Sequence, residues 1–451
     1  MTISRVLVAN RGEIAVRIIK ACHALGFESV AAVSEEDRNG LPAKMADRAV
    51  CIGPARSADS YLRVDAIVAA ALGTGADAVH PGYGFLAEDP ELAAACIKYD
   101  LKFIGPQPET IRKMGNKLKA RALVKQSGIS VVPGSEKVKN LQEAMTVAED
   151  IGFPILLKAA AGGGGRGIKI VTEGKELSLA FGTAAAEARA AFGDETLYME
   201  RYIPNARHIE VQLLGDRYGN VVHLGERDCS LQRRYQKVLE EAPASLIPES
   251  LREELRKAAV AVAKEIHYEN AGTVEFITDQ DNGKFYFLEM NTRIQVEHPV
   301  TEMVTGRDLV KEQIRIADGQ SLTFSQSDIR VSGHAIECRI NAESPTHGFR
   351  PCPGLIARWQ SPQGPGIRVD SHCTPGYSVS PYYDSLLAKL IVHEENRVKA
   401  AGRMQEALAA FVVTGVKTTI PFLRLLVCQL DYLQGKVNTC WLEKRLKDFA
   451  L

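Results

Sequence analysis

Residues 285–298 read Phe-Tyr-Phe-Leu-Glu-Met-Asn-Thr-Arg-Ile-Gln-Val-Glu-His. The stretch opens apolar and turns into an alternating polar run. If it stays extended, Glu289, Asn291, Arg293, Gln295 and Glu297 fall on one face, because side chains alternate along a strand. Carboxylates, amides and a guanidinium on one line can hold a metal ion, an anion and a base together. The wet face of a surface strand would favour Thr, Lys and Ser and leaves the apolar lead-in unexplained. The stretch is therefore read as a site.

A second carboxylate, Glu275, interrupts the apolar run Gly272-Thr273-Val274-Glu275-Phe276-Ile277. Burying it costs free energy unless it is paired with a lysine or bound to a metal. The turn Asp279-Gln280-Asp281-Asn282-Gly283 predicts a hairpin that brings Glu275 near Glu289. Two carboxylates aimed at one point beside phosphate oxygens suit Mg²⁺.

The segment Ala161-Gly162-Gly163-Gly164-Gly165-Arg166-Gly167 contains the spacing G-x-G-x-x-G. Ile168 to Val171 then reads as a strand and not a helix, so this is no dinucleotide fingerprint, and no Gly-Lys-Ser/Thr closes a P-loop. A glycine run between two strands makes a hairpin tip whose bare N–H groups can wrap phosphate oxygens and which can open and close. Lys158 ends the strand before it and reaches toward phosphates, and Lys117 opens a basic helix. In Arg207-His208-Ile209-Glu210-Val211-Gln212-Leu213 the polar face, His208, Glu210 and Gln212, is read as the wall of a polar pocket.

Alternating strands and helices must position these residues. Arg5 to Ala9 reads as a buried strand, followed by Ile14, Ile18, Ala21 and Leu25 at helical spacing with Gly26 as C-cap. Residues 29–33 and 76–80 read as further strands, so the first ~110 residues form a doubly wound α/β unit with a parallel sheet. Its first turn, Asn10-Arg11-Gly12-Glu13, has a single glycine and cannot cradle a pyrophosphate. Met114 to Gln126 reads as one helix entering a second domain. Strands are expected at 155–158, 168–171, 196–200, 208–214 and 220–225, with helices over 177–191 and 251–266. From about Val331 short strands and Pro-Gly turns precede helices near 396–411 and 418–430.

With Lys+Arg and Asp+Glu both at 55, no global field favours nucleic acid or an anionic membrane. No apolar run is long enough to span a bilayer. The first residues carry neither a basic n-region nor a long h-region, so no signal peptide is expected. The nine cysteines are scattered without a Cys-x-x-Cys pair, which fits reduced thiols and a cytoplasmic location.

Together these pieces resemble the biotin carboxylases, a branch of the ATP-grasp ligases. The resemblance covers essentially the whole chain. It rests on residues 9–15, Ala-Asn-Arg-Gly-Glu-Ile-Ala; on 80–86, His-Pro-Gly-Tyr-Gly-Phe-Leu; on the glycine-rich lid; on 226–234, Glu-Arg-Asp-Cys-Ser-Leu-Gln-Arg-Arg; on 289–299; and on 333–343.

The resemblance implies three units: an N-terminal doubly wound α/β domain over 1–113, a central α+β ATP-grasp domain over 114–328 with a lid subdomain at about 131–203, and a mixed α+β C-terminal domain over 329–451. It implies ATP held by Lys117, Lys158, Gly163, Gly164, Gly165, Gly167, His208 and Gln232, with Glu200 and Ile203 near the adenine. Glu275, Glu289 and Asn291 would hold Mg²⁺ or Mn²⁺. Arg293, Gln295, the Val296 amide and Lys237 would bind bicarbonate, and Glu297 would remove its proton. Biotin would lie near Tyr83, with Arg339 stabilising its enolate-like oxygen. The implied activity is ATP- and bicarbonate-dependent carboxylation of biotin through carboxyphosphate, the first half-reaction of acetyl-CoA carboxylase or of another acyl-CoA or 2-oxo acid carboxylase.

The expected partners are a second copy of the chain, a biotin carboxyl carrier protein and a separate carboxyltransferase. No Ala-Met-Lys-Met segment is present to carry biotin, so a separate carrier is expected. Tyr235, Lys20, Ala24 and Pro365 stand where the family more often has other residues, the first near the nucleotide and the rest at the homodimer interface. Two competing readings are another ATP-grasp ligase that activates a different carboxylate, which Tyr83 and Arg339 argue against, and a non-catalytic ATP-binding protein, which intact Glu275, Glu289 and Glu297 argue against.

Overall fold

A computed structural model describes residues 2–160 and 168–449. In the first unit, strands Arg48–Cys51, Glu28–Val33, Arg5–Val8, Ala78–His80 and Lys102–Phe103 lie side by side in that order. All four pairings are parallel. This is the strand order of a doubly wound sheet, whose ligands approach the carboxyl ends of the strands. The helix Gly12–Leu25 buries Ile14, Ile18, Ala21 and Cys22 against it. It stops at Gly26, whose φ of 78° lets its N–H reach back to Cys22 O and His23 O.

The largest sheet is antiparallel and eight-stranded, in the order Lys284–Asn291, Asn270–Asp279, Ala206–Gly215, Val221–Arg233, Gln236–Ala242, His334–Asn341, Leu386–Glu394 and Ile367–Ser371. Its strands come from both sides of residue 329, so one continuous ladder carries side chains of the central and C-terminal segments to the same place. Ile209, Val211, Val274, Phe276 and Phe287 pack on one side under the helix Glu249–Glu265. Each such side chain contributes about 1.5–3 kcal/mol by burial. A separate three-stranded sheet, Ile168–Val171, Ile155–Ala159 and Leu197–Arg201, carries the helices Leu141–Ile151 and Leu177–Phe192. The glycine-rich tip at 161–167, with Gly163, Gly164, Gly165 and Gly167, lies outside the described residues.

Some elements differ from expectation. The helix expected over Met114 to Gln126 is two, Pro108–Gly115 and Lys117–Gln126. Asn116 leaves helical geometry and its side chain caps the second helix by accepting from the Lys119 N–H at 3.0 Å. Asparagine competes with the helical backbone in this way. The strand expected at 220–225 runs on to Arg233. The C-terminal segment 418–430 divides into Ile420–Leu426 and Leu430–Leu433. Among the described residues no helix is long and apolar enough to cross a membrane.

Candidate functional site

A cavity of about 900 Å³ opens between the eight-stranded and the three-stranded sheet, with Tyr83 of the N-terminal unit among its lining residues. Sixteen expected site residues that are described line it: Tyr83, Lys117, Lys158, Glu200, Ile203, His208, Gln232, Lys237, Glu275, Glu289, Asn291, Arg293, Gln295, Val296, Glu297 and Arg339.

The hairpin places Glu275 directly opposite Glu289 in the ladder. A bulge at Leu288 shifts the register between Glu275↔Glu289 and Phe276↔Phe287. The run after Glu289 is not extended to residue 297, contrary to the alternation read from sequence. The strand ends at Asn291, and a helix, His298–Thr305, begins where extension was expected. Contacts outside the run explain the bend. The Thr292 N–H donates to Glu88 Oε1 at 3.1 Å and Arg293 Nε donates to Glu88 Oε2 at 2.9 Å. Pro299, in the first turn of that helix, favours a helical start. The turn still delivers Arg293, Gln295, Val296 and Glu297 to the cavity.

Lys237 is the cationic centre. Its Nζ lies 2.6 Å from Glu210, 3.1 Å from Glu275 and 2.5 Å from Glu297. Burial alone would lower its pKa, but the three glutamates hold it well above the usual lysine value. Glu297 bonds Arg339 Nη2 at 2.9 Å through its other oxygen. Burial would raise the Glu297 carboxyl, yet Lys237 and Arg339 hold it far below the usual range. Burial would likewise raise Glu275, and Lys237 and His208 outweigh it. The lysine pairing considered for Glu275 is thus present, joined by His208 Nε2 at 3.1 Å and by the Asn291 and Gln295 amides at 2.9 and 2.7 Å. Lys117 Nζ lies 3.3 Å from Glu289. Lys158 and Arg121 both pair with the buried Glu200.

Beneath this layer sits Arg227, fully buried, with all three guanidinium nitrogens in use. It bonds Glu210 at 2.5 Å, Gln212 at 2.7 Å, Thr301 at 2.9 Å, Thr273 at 3.1 Å and Gln295 at 2.6 Å. Glu210 and Gln212 therefore form the underside of the polar wall rather than its lining. Arg339 Nε rests on Glu240 Oε1 at 2.6 Å. Burial pushes the Glu240 carboxyl up to about 7 despite Arg339. Tyr235 lies half-exposed at the rim, in the left-handed region with φ 63°.

Sequence reading does not single out Glu88, Arg121 or Glu240 and gives Arg227 no role. Each is a charged residue in a strand, helix or loop without a distinctive spacing. The adjacent pair Glu240-Glu241 between Leu239 and Ala242 is the nearest thing to a signal, since two acids inside an apolar strand need partners.

The donor set fits Mg²⁺: Glu275 and Glu289 are hairpin partners facing one cavity, with the Asn291 carbonyl beside them. Lys237, Arg293, Gln295 and Val296 line the same cavity as Glu297 and bring positive charge and amide groups beside it.

Three family models match consecutive parts of the chain: the biotin carboxylase N-terminal domain over 2–111, the ATP-binding domain of the carbamoyl-phosphate synthase L chain over 116–325, and the biotin carboxylase C-terminal domain over 337–444. Biotin carboxylase 1 of Bacillus subtilis is 52% identical, with 98% of each chain covered. The biotin carboxylase of Haemophilus influenzae is 50% identical over 98% of this chain and 99% of its own. The biotin carboxylase domain dimer of 2-oxoglutarate carboxylase from Hydrogenobacter thermophilus, solved with MgADP, ADP and bicarbonate, superposes with a TM-score of 0.96 at 50% identity, covering all of both chains. At half-identity over nearly its whole length, with the cavity built from the expected residues, the chain belongs to the biotin carboxylase family.

Proposed function

We propose that this chain is the biotin carboxylase of a biotin-dependent carboxylase, an ATP-dependent ligase that moves the carboxylate of bicarbonate onto biotin. The observation that carries this reading is the meeting of Lys237, Glu297 and Arg339 in one cavity with Glu275, Glu289 and Asn291. Phosphoryl transfer is mostly positioning and charge neutralisation. Lys117 and Lys158 supply charge to the triphosphate, with His208, Gln232, Glu200 and Ile203 around the nucleotide. Glu275, Glu289 and Asn291 would hold Mg²⁺, which when bound neutralises phosphate oxygens.

Arg293, Gln295, the Val296 N–H and Lys237 hold bicarbonate, and Glu297 takes its proton. A bicarbonate oxygen attacks the γ-phosphorus and the bond to ADP breaks, leaving carboxyphosphate. Its C–O bond to phosphate then breaks with the electron pair going to phosphate, releasing CO₂. The phosphate takes the ureido N–H proton of biotin, whose nitrogen attacks CO₂. Arg339 stabilises the negative ureido oxygen, and Tyr83 borders the biotin end. The partners that suit this activity are a biotin carrier protein, a carboxyltransferase and a second copy of the chain. Nine unpaired thiols suit a cytoplasmic setting.

The test is ADP release. It should require bicarbonate and Mg²⁺ and rise with free biotin; an equal rate in bicarbonate-free buffer contradicts the reading.

Glu275→Gln and Glu289→Gln keep shape and remove charge from a dication site. Each is expected to shift the Mg²⁺ activation curve to higher concentration more than it weakens nucleotide binding. An unchanged Mg²⁺ titration would count against the metal role.

A further inference from the structure

Lys389 lies in the middle of the strand Leu386–Glu394 and is fully buried. A buried lysine persists only where its charge is met. Its Nζ donates to the Val296 carbonyl at 2.9 Å and lies 3.2 Å from Glu13 Oε1, with Asp370 farther off at 4.0 Å. Glu13 stands at the start of the first helix of the N-terminal unit and also accepts the Tyr83 hydroxyl. Burial pushes the Glu13 carboxyl up, and Lys389 is the largest influence pulling it back. One ammonium thus joins the N-terminal unit, the C-terminal strands and the Val296 turn.

The Val296 carbonyl belongs to the peptide that leads into Glu297. That peptide has no regular ladder to hold it, because residues 292–297 lie between the strand and the helix. Its side chains are anchored by Glu88 at Arg293, by Arg227 and Glu275 at Gln295 and by Lys237 and Arg339 at Glu297, while its backbone is held by Glu88 at the Thr292 N–H and by the His298 ring at the Gln295 carbonyl, 2.8 Å away. Lys237 and Arg339 hold the Glu297 carboxylate, whereas Lys389 is, among the described residues, the charged group that bonds the backbone of the Val296–Glu297 peptide itself.

We propose that Lys389 is a positioning residue for bicarbonate: it pins the Val296–Glu297 peptide so that the Val296 N–H and the Glu297 carboxylate face the same anion, and through Glu13 it ties that turn to Tyr83. This rests on the bicarbonate reading of the turn given above. Lys389 does not line the cavity, so it acts through the residues it holds, the Val296 carbonyl and Glu13.

The experiment is steady-state ADP release by the full chain at saturating MgATP and biotin, with bicarbonate varied, followed by the same series with ATP varied. Lys389→Met strands Glu13 without its cation and can fail to fold for that reason. Lys389→Met/Glu13→Gln removes the stranded charge while leaving an acceptor for Tyr83, and is the deciding variant. The expected result is a bicarbonate KM raised about tenfold, the scale of one lost charged hydrogen bond, with the ATP KM unchanged. A double variant with the original bicarbonate KM overturns the proposal. So does one whose ATP and bicarbonate KM rise together, or one that does not fold, since the lysine then serves the fold and not the turn. ADP release by the unaltered chain that ignores bicarbonate overturns the functional reading itself. Bicarbonate dependence in the unaltered chain, with no KM change in the double variant, overturns the Lys389 role alone.

Discussion

Glu297→Gln is expected to slow carboxybiotin formation by about 10²–10⁴-fold, the range for loss of a positioned general base. That corresponds to about 3–5 kcal/mol of transition-state stabilisation. ATP affinity should be unchanged, because Glu297 contacts Lys237 and Arg339 and no residue assigned to the nucleotide. Bicarbonate-dependent ADP release should fall together with carboxybiotin, since proton removal precedes attack on the γ-phosphate. Lys237 and Arg339 hold the Glu297 carboxyl far below the usual carboxylate range, so it is ionised and can accept a proton. If Glu297 merely orients Lys237, Glu297→Gln and Lys237→Met should act alike, both on the bicarbonate KM. A near-normal kcat with a raised bicarbonate KM in Glu297→Gln would overturn the base assignment.

Arg227→Met is expected to cost about 3–5 kcal/mol of stability, the penalty for removing one partner of a buried ion pair. Arg227 and Glu210 are both fully buried, and the guanidinium also serves Gln212, Thr273, Thr301 and Gln295. Its loss strands a carboxylate that then has Lys237 as its remaining close cation. Adding Glu210→Gln should recover part of the loss, because it removes the uncompensated charge. Urea unfolding of the two variants measures both effects. A loss below about 1 kcal/mol, the scale of an exposed pair, would show that the network under the cavity is not what holds its floor.

Much of the cavity is legible in local sequence. Glu275 and Glu289 are brought opposite one another by a hairpin whose turn is written in five residues, and the rim residues of 289–298 are contiguous. The long-range partners are not legible. Glu88 grips Arg293 across 205 residues, and Lys389 reaches Val296 across 93. Nothing in the spacing of either residue reports a partner so far away, because register between distant strands is set by tertiary packing. The extended reading of 285–298 fails for the same reason. Alternation is a rule for residues inside a ladder, and Thr292 leaves the ladder to meet Glu88. Helix boundaries are blurred where a single side chain decides them, as Asn116 does.

The central claim is that bicarbonate itself attacks ATP at this site. Bicarbonate labelled with heavy oxygen, incubated with the enzyme, MgATP and biotin, tests it in one step. The account predicts that label appears in the released phosphate, since the attacking oxygen stays on phosphorus when carboxyphosphate breaks down. Phosphate free of label, formed while biotin is being carboxylated, would contradict it.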